Sequence, residues 1–135
     1  METFDTNVVL RMVYRDDPVQ ADRASSAWQA AVASGGIFLT TVVLVELAWV
    51  LRVAAKFDRA AIAAALESLS DAHGVSVEEA PRVRRAIARF KVGAADFSDC
   101  LILETARDAP ALPVATFDER FAREPDVQLV ATAIP

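Results

Sequence analysis

An α/β fold built on a mainly parallel sheet is what this sequence predicts, on three observations. Short apolar runs rich in β-branched residues alternate with longer stretches whose apolar residues recur at helical spacing. Gly35-Gly36 separates one such helix from the strand that follows it, giving a strand, helix, strand unit. Finally, 135 residues at 54% hydrophobic content are enough for one domain with a continuous core that needs no disulfide or structural metal.

The elements follow in order. Residues 3–13 begin as a short strand that ends near Asp5 and Thr6 and runs into a helix, so Asp5 falls at a strand's C-terminal end. Residues 22–33 carry Ala24, Ala27, Trp28 and Ala31 on one helical face, and residues 37–40 form the next strand. Thr40 or Thr41 caps a helix over 42–55 that is apolar on most sides and is expected to be largely buried. Phe57-Asp58-Arg59 interrupts it, and the stripe Ile62, Ala65, Leu66 and Leu69 defines a helix over 59–70 that completes a hairpin. His73-Gly74 ends that element before a short strand at 75–77. Helices over 79–90 and 95–106 come next, the latter with Phe97, Leu101, Ile102 and Thr105 inward, and strands at 113–116 and 127–131 close the chain. Nothing reads as a repeat, a linker or a second domain, so one domain over 1–135 is expected.

Composition narrows the function. With Cys100 the sole cysteine, there is no intrachain disulfide and no zinc site with two cysteine ligands, which fits a reducing cytosol. The N-terminus lacks a secretory pattern, and the longest apolar run, 37–51, is broken by Glu46 short of a membrane span. A soluble cytoplasmic protein is expected. Net charge is −5, so binding to nucleic acid would need segregated charge. Between Pro81 and Gly93 stand Arg82, Arg84, Arg85, Arg89 and Lys91 without an acid, either a phosphate-contacting face or simply a solvated helix surface. His73 has no serine or cysteine in a nucleophile setting, which tells against covalent hydrolysis, and it reads as a turn residue. Trp28 and Trp49 read as core or interface, and Cys100 as a buried thiol.

Ligands in parallel sheets bind outside the carboxyl ends of strands, where Asp5 and Asp118 are expected. Glu46 lies within an apolar helix and should have a compensating partner there. Asp96 and Asp99, spaced i, i+3, open a helix whose dipole favours negative charge. Taken singly, Asp96 reads as a cap and Asp5 and Asp118 as turn residues. Together, carboxylates converging on one pocket would repel one another unless a hard cation sat among them, and oxygen-only ligation suits Mg²⁺ or Mn²⁺. Such a metal activates water and stabilises charge on a phosphoryl group.

Phe4-Asp5-Thr6-Asn7, Val45-Glu46-Leu47, the stretch from Ala95 through Asp96 and Asp99 to Ile102, and Ala115-Thr116-Phe117-Asp118 resemble the four acidic motifs of the PIN-domain nucleases in order and spacing. The resemblance spans essentially the whole chain and is closest to the toxins of VapBC type II toxin-antitoxin modules, including Arg15-Asp16-Asp17-Pro18 after the first helix. It implies a PIN-like three-layer fold with a central, mainly parallel sheet flanked by helices. It also implies a Mg²⁺- or Mn²⁺-dependent endoribonuclease restrained by a cognate antitoxin protein and assembled as a homodimer or toxin-antitoxin hetero-oligomer. By position, Asp5 and Asp99 would be principal metal ligands, Glu46 and Asp118 would complete the metal and water network, Asp96 would be accessory, and Asn7 and Thr116 would support Asp5 and Asp118. A three-residue shift would match Asp96 to the third motif, although Asp99 before Cys100-Leu101-Ile102 fits better. Two other classes compete: a catalytically inactive PIN-fold binding or dimerisation module, and a receiver-like signalling domain, which should carry a lysine near a late strand where Thr116-Phe117-Asp118 stands.

Overall fold

The computed structural model describes residues 1–131 and divides into two compact units, Met1–Ala80 and Pro81–Pro135. The described residues hold six α-helices and five short strands, every strand pair parallel, a mixed α/β architecture. The strands form two sheets, one in each unit.

In the first unit, β1 (Glu2–Thr3), β2 (Ile37–Leu39) and β3 (Val75–Val77) pair in that order, with Thr3 opposite Phe38 and Phe38 opposite Ser76. Helices α1 (Thr6–Val13) and α2 (Pro18–Ala33) connect β1 to β2, and α3 (Thr41–Val53) and α4 (Arg59–Asp71) connect β2 to β3. Ile37, Leu39, Leu44, Leu47, Leu51 and Leu66 are almost fully buried, and the Phe4 and Trp28 rings meet at 5.8 Å. At the end of α2, Gly36 takes φ +101°, and a Cβ there would lie 2.8 Å from the Gly74 carbonyl oxygen. Only glycine allows this approach, which lets Ile37 N–H donate to that same carbonyl at 2.8 Å and starts β2 beside β3.

In the second unit, α5 (Ala80–Val92, entering from the last residue of the first unit) and α6 (Phe97–Asp108) precede β4 (Val114–Thr116) and β5 (Val127–Leu129), with a 3₁₀ turn at Phe121–Arg123 between the strands. Val83, Ile87, Phe90, Phe97, Cys100 and Leu103 are buried, and the Phe90 and Phe97 rings pack edge to face at 6.2 Å.

Three expectations need correction. Helix α2 starts at Pro18, four residues earlier than its apolar stripe suggests, because Asp17 accepts from Gln20 N–H at 3.1 Å and Pro18 needs no donor at the first helical position. Helix α3 is not buried on all sides: Val42 (64% exposed), Trp49 (58%) and Val53 lie bare on the face that also carries Glu46. Trp28 is core; Trp49 is not. On α6, Ile102 and Thr105 face solvent while Glu104 turns inward, 2% exposed, because Arg85, Arg89 and Arg107 surround it. His73 is an exposed turn residue and Cys100 a buried free thiol, as expected.

Candidate active site

Asp5 leaves β1 in an extended conformation (φ −79°, ψ 174°) and becomes the N-cap of α1, its carboxylate accepting from Val8 N–H at 3.3 Å. That geometry follows from the sequence: a short polar side chain between Phe4 and a helical run satisfies amides that have no partner inside the helix. Glu46 projects from α3. Thr6, the residue after Asp5, donates its hydroxyl to Glu46 Oε1 at 2.9 Å, which ties the acid of α3 to the first turn of the helix that Asp5 caps. Glu46 is exposed, and its partner is this hydroxyl, where burial of its helix had called for a compensating group.

The start of α3 is fixed by two residues. Thr40 Oγ1 accepts from Val43 N–H at 3.2 Å, and Glu78, just beyond β3, accepts from Thr41 N–H and Oγ1–H at 2.9 and 3.0 Å. Sequence reasoning missed Glu78. An acid directly after a strand was the available signal, but its target lies 37 residues away. Asn7, the second residue of α1, is exposed and lines a cavity between α1 and α2.

In the second unit, Asp96 is the N-cap residue of α6 by its backbone (φ −67°, ψ 160°), yet its side chain makes no capping hydrogen bond. Asp99 follows in the first turn, half-buried. Asp118 leaves β4 in a tight turn in which its Oδ1 accepts from Arg120 and Phe121 N–H at 2.8 and 3.2 Å, while its own N–H donates to Thr116 Oγ1 at 3.0 Å. Thr116 therefore braces the backbone of Asp118 and leaves its carboxylate to the turn amides.

Burial raises the pKa of Asp99, and the negative charges of Asp96 and then Asp118 raise it further. The carboxylates of Asp96 and Asp118 thus act electrostatically on Asp99. Among the described residues, no group of three or more His, Cys, Asp or Glu side chains is closed enough to cage a metal ion. Mg²⁺ needs no such cage: it keeps several waters and commonly binds through one or two carboxylates together with substrate phosphate. Oxygen donors and like-charge repulsion at Asp99 fit such a cation.

The expected arginine face is largely committed to carboxylates. Arg82 pairs with Asp108 at 2.8 Å, Arg85 with Glu104 at 2.9 Å and Asp108 at 2.6 Å, and Arg89 with Glu124 at 2.9 Å and Glu104 at 3.4 Å. Burial alone would raise Glu104, but hydrogen bonds from Arg85 and Arg107 and the charges of Arg89 and Arg107 outweigh it, so its pKa is lowered. Asp108 is lowered by hydrogen bonds from Arg82 and Arg85.

The sequence profile of the PIN domain matches residues 3–126. The chain belongs to the PIN domain family. PIN domains are generally nucleases, hydrolases that usually use divalent metal ions, and RNA is the substrate the family suggests. No curated protein matches this PIN domain significantly.

Proposed function

We propose that this PIN domain, spanning residues 1–135 as a single nuclease domain, is a Mg²⁺- or Mn²⁺-dependent endoribonuclease and the toxin of a toxin-antitoxin pair. The observation that carries the reading is Asp99, whose raised pKa comes from burial and from facing Asp96 and Asp118. Like charges brought to bear on a half-buried carboxylate fit a polyvalent cation bound beside it.

In this reading Asp5 and Asp99 are the principal metal ligands, Glu46 and Asp118 complete the metal and water network, and Asp96 is accessory. The bound divalent ion would supply Lewis-acid stabilisation of the phosphoryl oxygens and a more acidic water. Glu46 has one oxygen held by Thr6, leaving the other to orient the attacking water and accept its proton. Water oxygen bonds to phosphorus as the bond to the leaving ribose oxygen breaks. Thr116 holds the turn that presents Asp118, and Asn7 is the polar neighbour of Asp5. A phosphate contact by Arg82, Arg85 or Arg89 would compete with the carboxylates they already hold; Arg84 completes that set of RNA-contact candidates.

The partners proposed are RNA, a cognate antitoxin, and a second copy in a homodimer or a toxin-antitoxin hetero-oligomer, all in the cytoplasm. No helix among the described residues is long and apolar enough to cross a membrane. The bare apolar face of α3, with Val42, Trp49 and Val53, favours one second reading, a catalytically inactive binding or dimerisation module.

Cleavage of total bacterial RNA by the purified protein with Mg²⁺, Mn²⁺ or EDTA separates the two, comparing wild type with Asp5→Asn and Asp99→Asn. Metal-dependent cutting lost in both variants is expected, by at least about a hundredfold for a group that acts on the transition state. A folded, antitoxin-free wild type that cuts no RNA in any metal would favour the binding module.

A further inference from the structure

Where α1 and α2 pack together, α2 presents Ala24 and Ala27, and these small side chains leave a cavity of about 400 Å³ between the helices. Asn7 and Arg11 overhang it from α1, and Gln20 and Arg23 from α2, at the one-turn spacings that put each pair on a single helix face. Val8, Ala24 and Ala27 make an apolar floor, and the polar lining is two guanidiniums and two amides with no acid. The volume falls in the range that accommodates a nucleotide-sized group.

The two arginines differ. Arg11 is held in place, its Nε donating to Gln20 Oε1 at 2.8 Å and its guanidinium paired with Asp16, so its charge is largely offset. Arg23 is exposed and makes no hydrogen bond or ion pair among the described residues. In a chain of net charge −5, an arginine without an acid partner at the rim of a hollow is a site where a polyanion can gain an interaction without displacing a carboxylate.

We propose that this cavity is a substrate subsite that seats one backbone phosphate of single-stranded RNA flanking the cleaved bond. Arg23 supplies the charge, Arg11 and Gln20 form a preset wall, and Asn7, two residues beyond Asp5, offers amide hydrogens to the phosphate or base edge. The assignment rests on the nuclease reading. A protein partner is the competing occupant, and the two guanidiniums with no acid in the lining favour a polyanion over it.

The test is binding of a fluorescein-labelled single-stranded RNA to the full chain, measured by anisotropy across a salt series. It uses an Asp99→Asn background with Mg²⁺, so that the probe is not cut. Arg23→Gln is expected to weaken binding about five- to tenfold at low salt and to reduce the slope of log affinity against log salt by roughly 0.7, the value for one phosphate contact on a single strand. Arg23→Lys should restore the slope, and Ala27→Leu, which fills the hollow, should weaken binding without changing any charge. The thermal melt of Arg23→Gln should match its parent, since Arg23 makes no hydrogen bond or ion pair among the described residues. If Arg23→Gln and Ala27→Leu both bind RNA with the parent's affinity and slope, the subsite is overturned while the nuclease reading stands, and any occupant is a protein. If the parent binds no RNA while wild type still cuts it, the subsite is overturned and the nuclease reading stands; if wild type neither binds nor cuts RNA, both readings fall.

Discussion

Glu104 offers the most quantitative test of how this protein is held together. Its side chain is 3% exposed and accepts from Arg85 at 2.9 Å, Arg89 at 3.4 Å and Arg107 at 3.4 Å. Removing one partner of a buried ion pair costs roughly 3–5 kcal/mol, because the charges left behind are desolvated and uncompensated. Here each arginine keeps a second acid: Arg85 keeps Asp108, Arg89 keeps Glu124, and Arg107 keeps Asp126 at 3.4 Å. The guanidinium side chains are also 22–41% exposed. Both facts place Glu104→Ala near the lower end, about 3 kcal/mol. Glu104→Gln keeps the volume and one acceptor oxygen and should cost about 1–2 kcal/mol, the difference between charged and neutral hydrogen bonds. Urea unfolding followed by circular dichroism at pH 7 measures both. The pH dependence has a fixed sign. The folded pKa of Glu104 lies below its ordinary value of 4.5, so its stabilisation is complete above that value and is lost as pH falls through the lowered folded pKa. The gap between wild type and Glu104→Gln should therefore narrow in strong acid. A gap under about 0.5 kcal/mol at neutral pH, or one that does not change in acid, would refute the reasoning.

Two further outcomes are expected. Asp99→Asn should stabilise the metal-free protein at pH 7 by about 1 kcal/mol, a figure reduced for its partial exposure, because burial and like charge both oppose ionisation there. The raised folded pKa means that the penalty is absent below the ordinary value of 3.8 and full above the folded value. Thermal melts in EDTA should thus separate the two proteins at neutral pH and merge them in acid, and a variant less stable than wild type at pH 7 would contradict this. Thr6→Val removes the hydroxyl that holds Glu46 and should cost about 0.5–1.5 kcal/mol of stability. As a positioning change it should lower kcat about tenfold with KM nearly unchanged, Thr6→Ser should restore the rate, and single-turnover cleavage that is equal in all three would remove Thr6 from the site.

The helix starts were readable where a cap and a stripe coincide, as at Thr40 for α3 and the break at Asp58 for α4. The start of α2 was not, because alanines give a weak stripe and the signal lay instead in Asp17-Pro18. The acids after strands were legible as candidates because alternation of strand and helix places them at strand ends. Their partners were not, since Thr6 and Glu46 are 40 residues apart and only the fold brings them together. On α3, hydropathy says how apolar a helix is and not which of its faces finds a neighbour, so Val42 and Trp49 looked buried and are bare. The arginines of α5 misled in the opposite direction. Arg82, Arg85 and Arg89 recur at i, i+3 and i+7, and Glu104 and Asp108 at i, i+4. Two complementary stripes are a pairing signal, but one that each helix hides when read alone.

Helix α6 carries both halves of this electrostatics. At its N-terminus Asp96 and Asp99 face one another and Asp118, an arrangement that raises the pKa of Asp99 and opposes folding at neutral pH. Two turns on, Glu104 and Asp108 are lowered by arginines of α5 and by Arg107. Repulsive charges at one end of a rigid helix persist only if attraction elsewhere on it is larger, and three guanidiniums about one buried carboxylate supply it. On this account the arginines of α5 serve the acidic site by holding the helix that presents it. Weakening the Glu104 cluster should then lower the fraction of molecules able to bind metal before it alters the chemistry of those that do, so Glu104→Gln would reduce the amount of active protein while leaving the rate per active molecule near that of wild type.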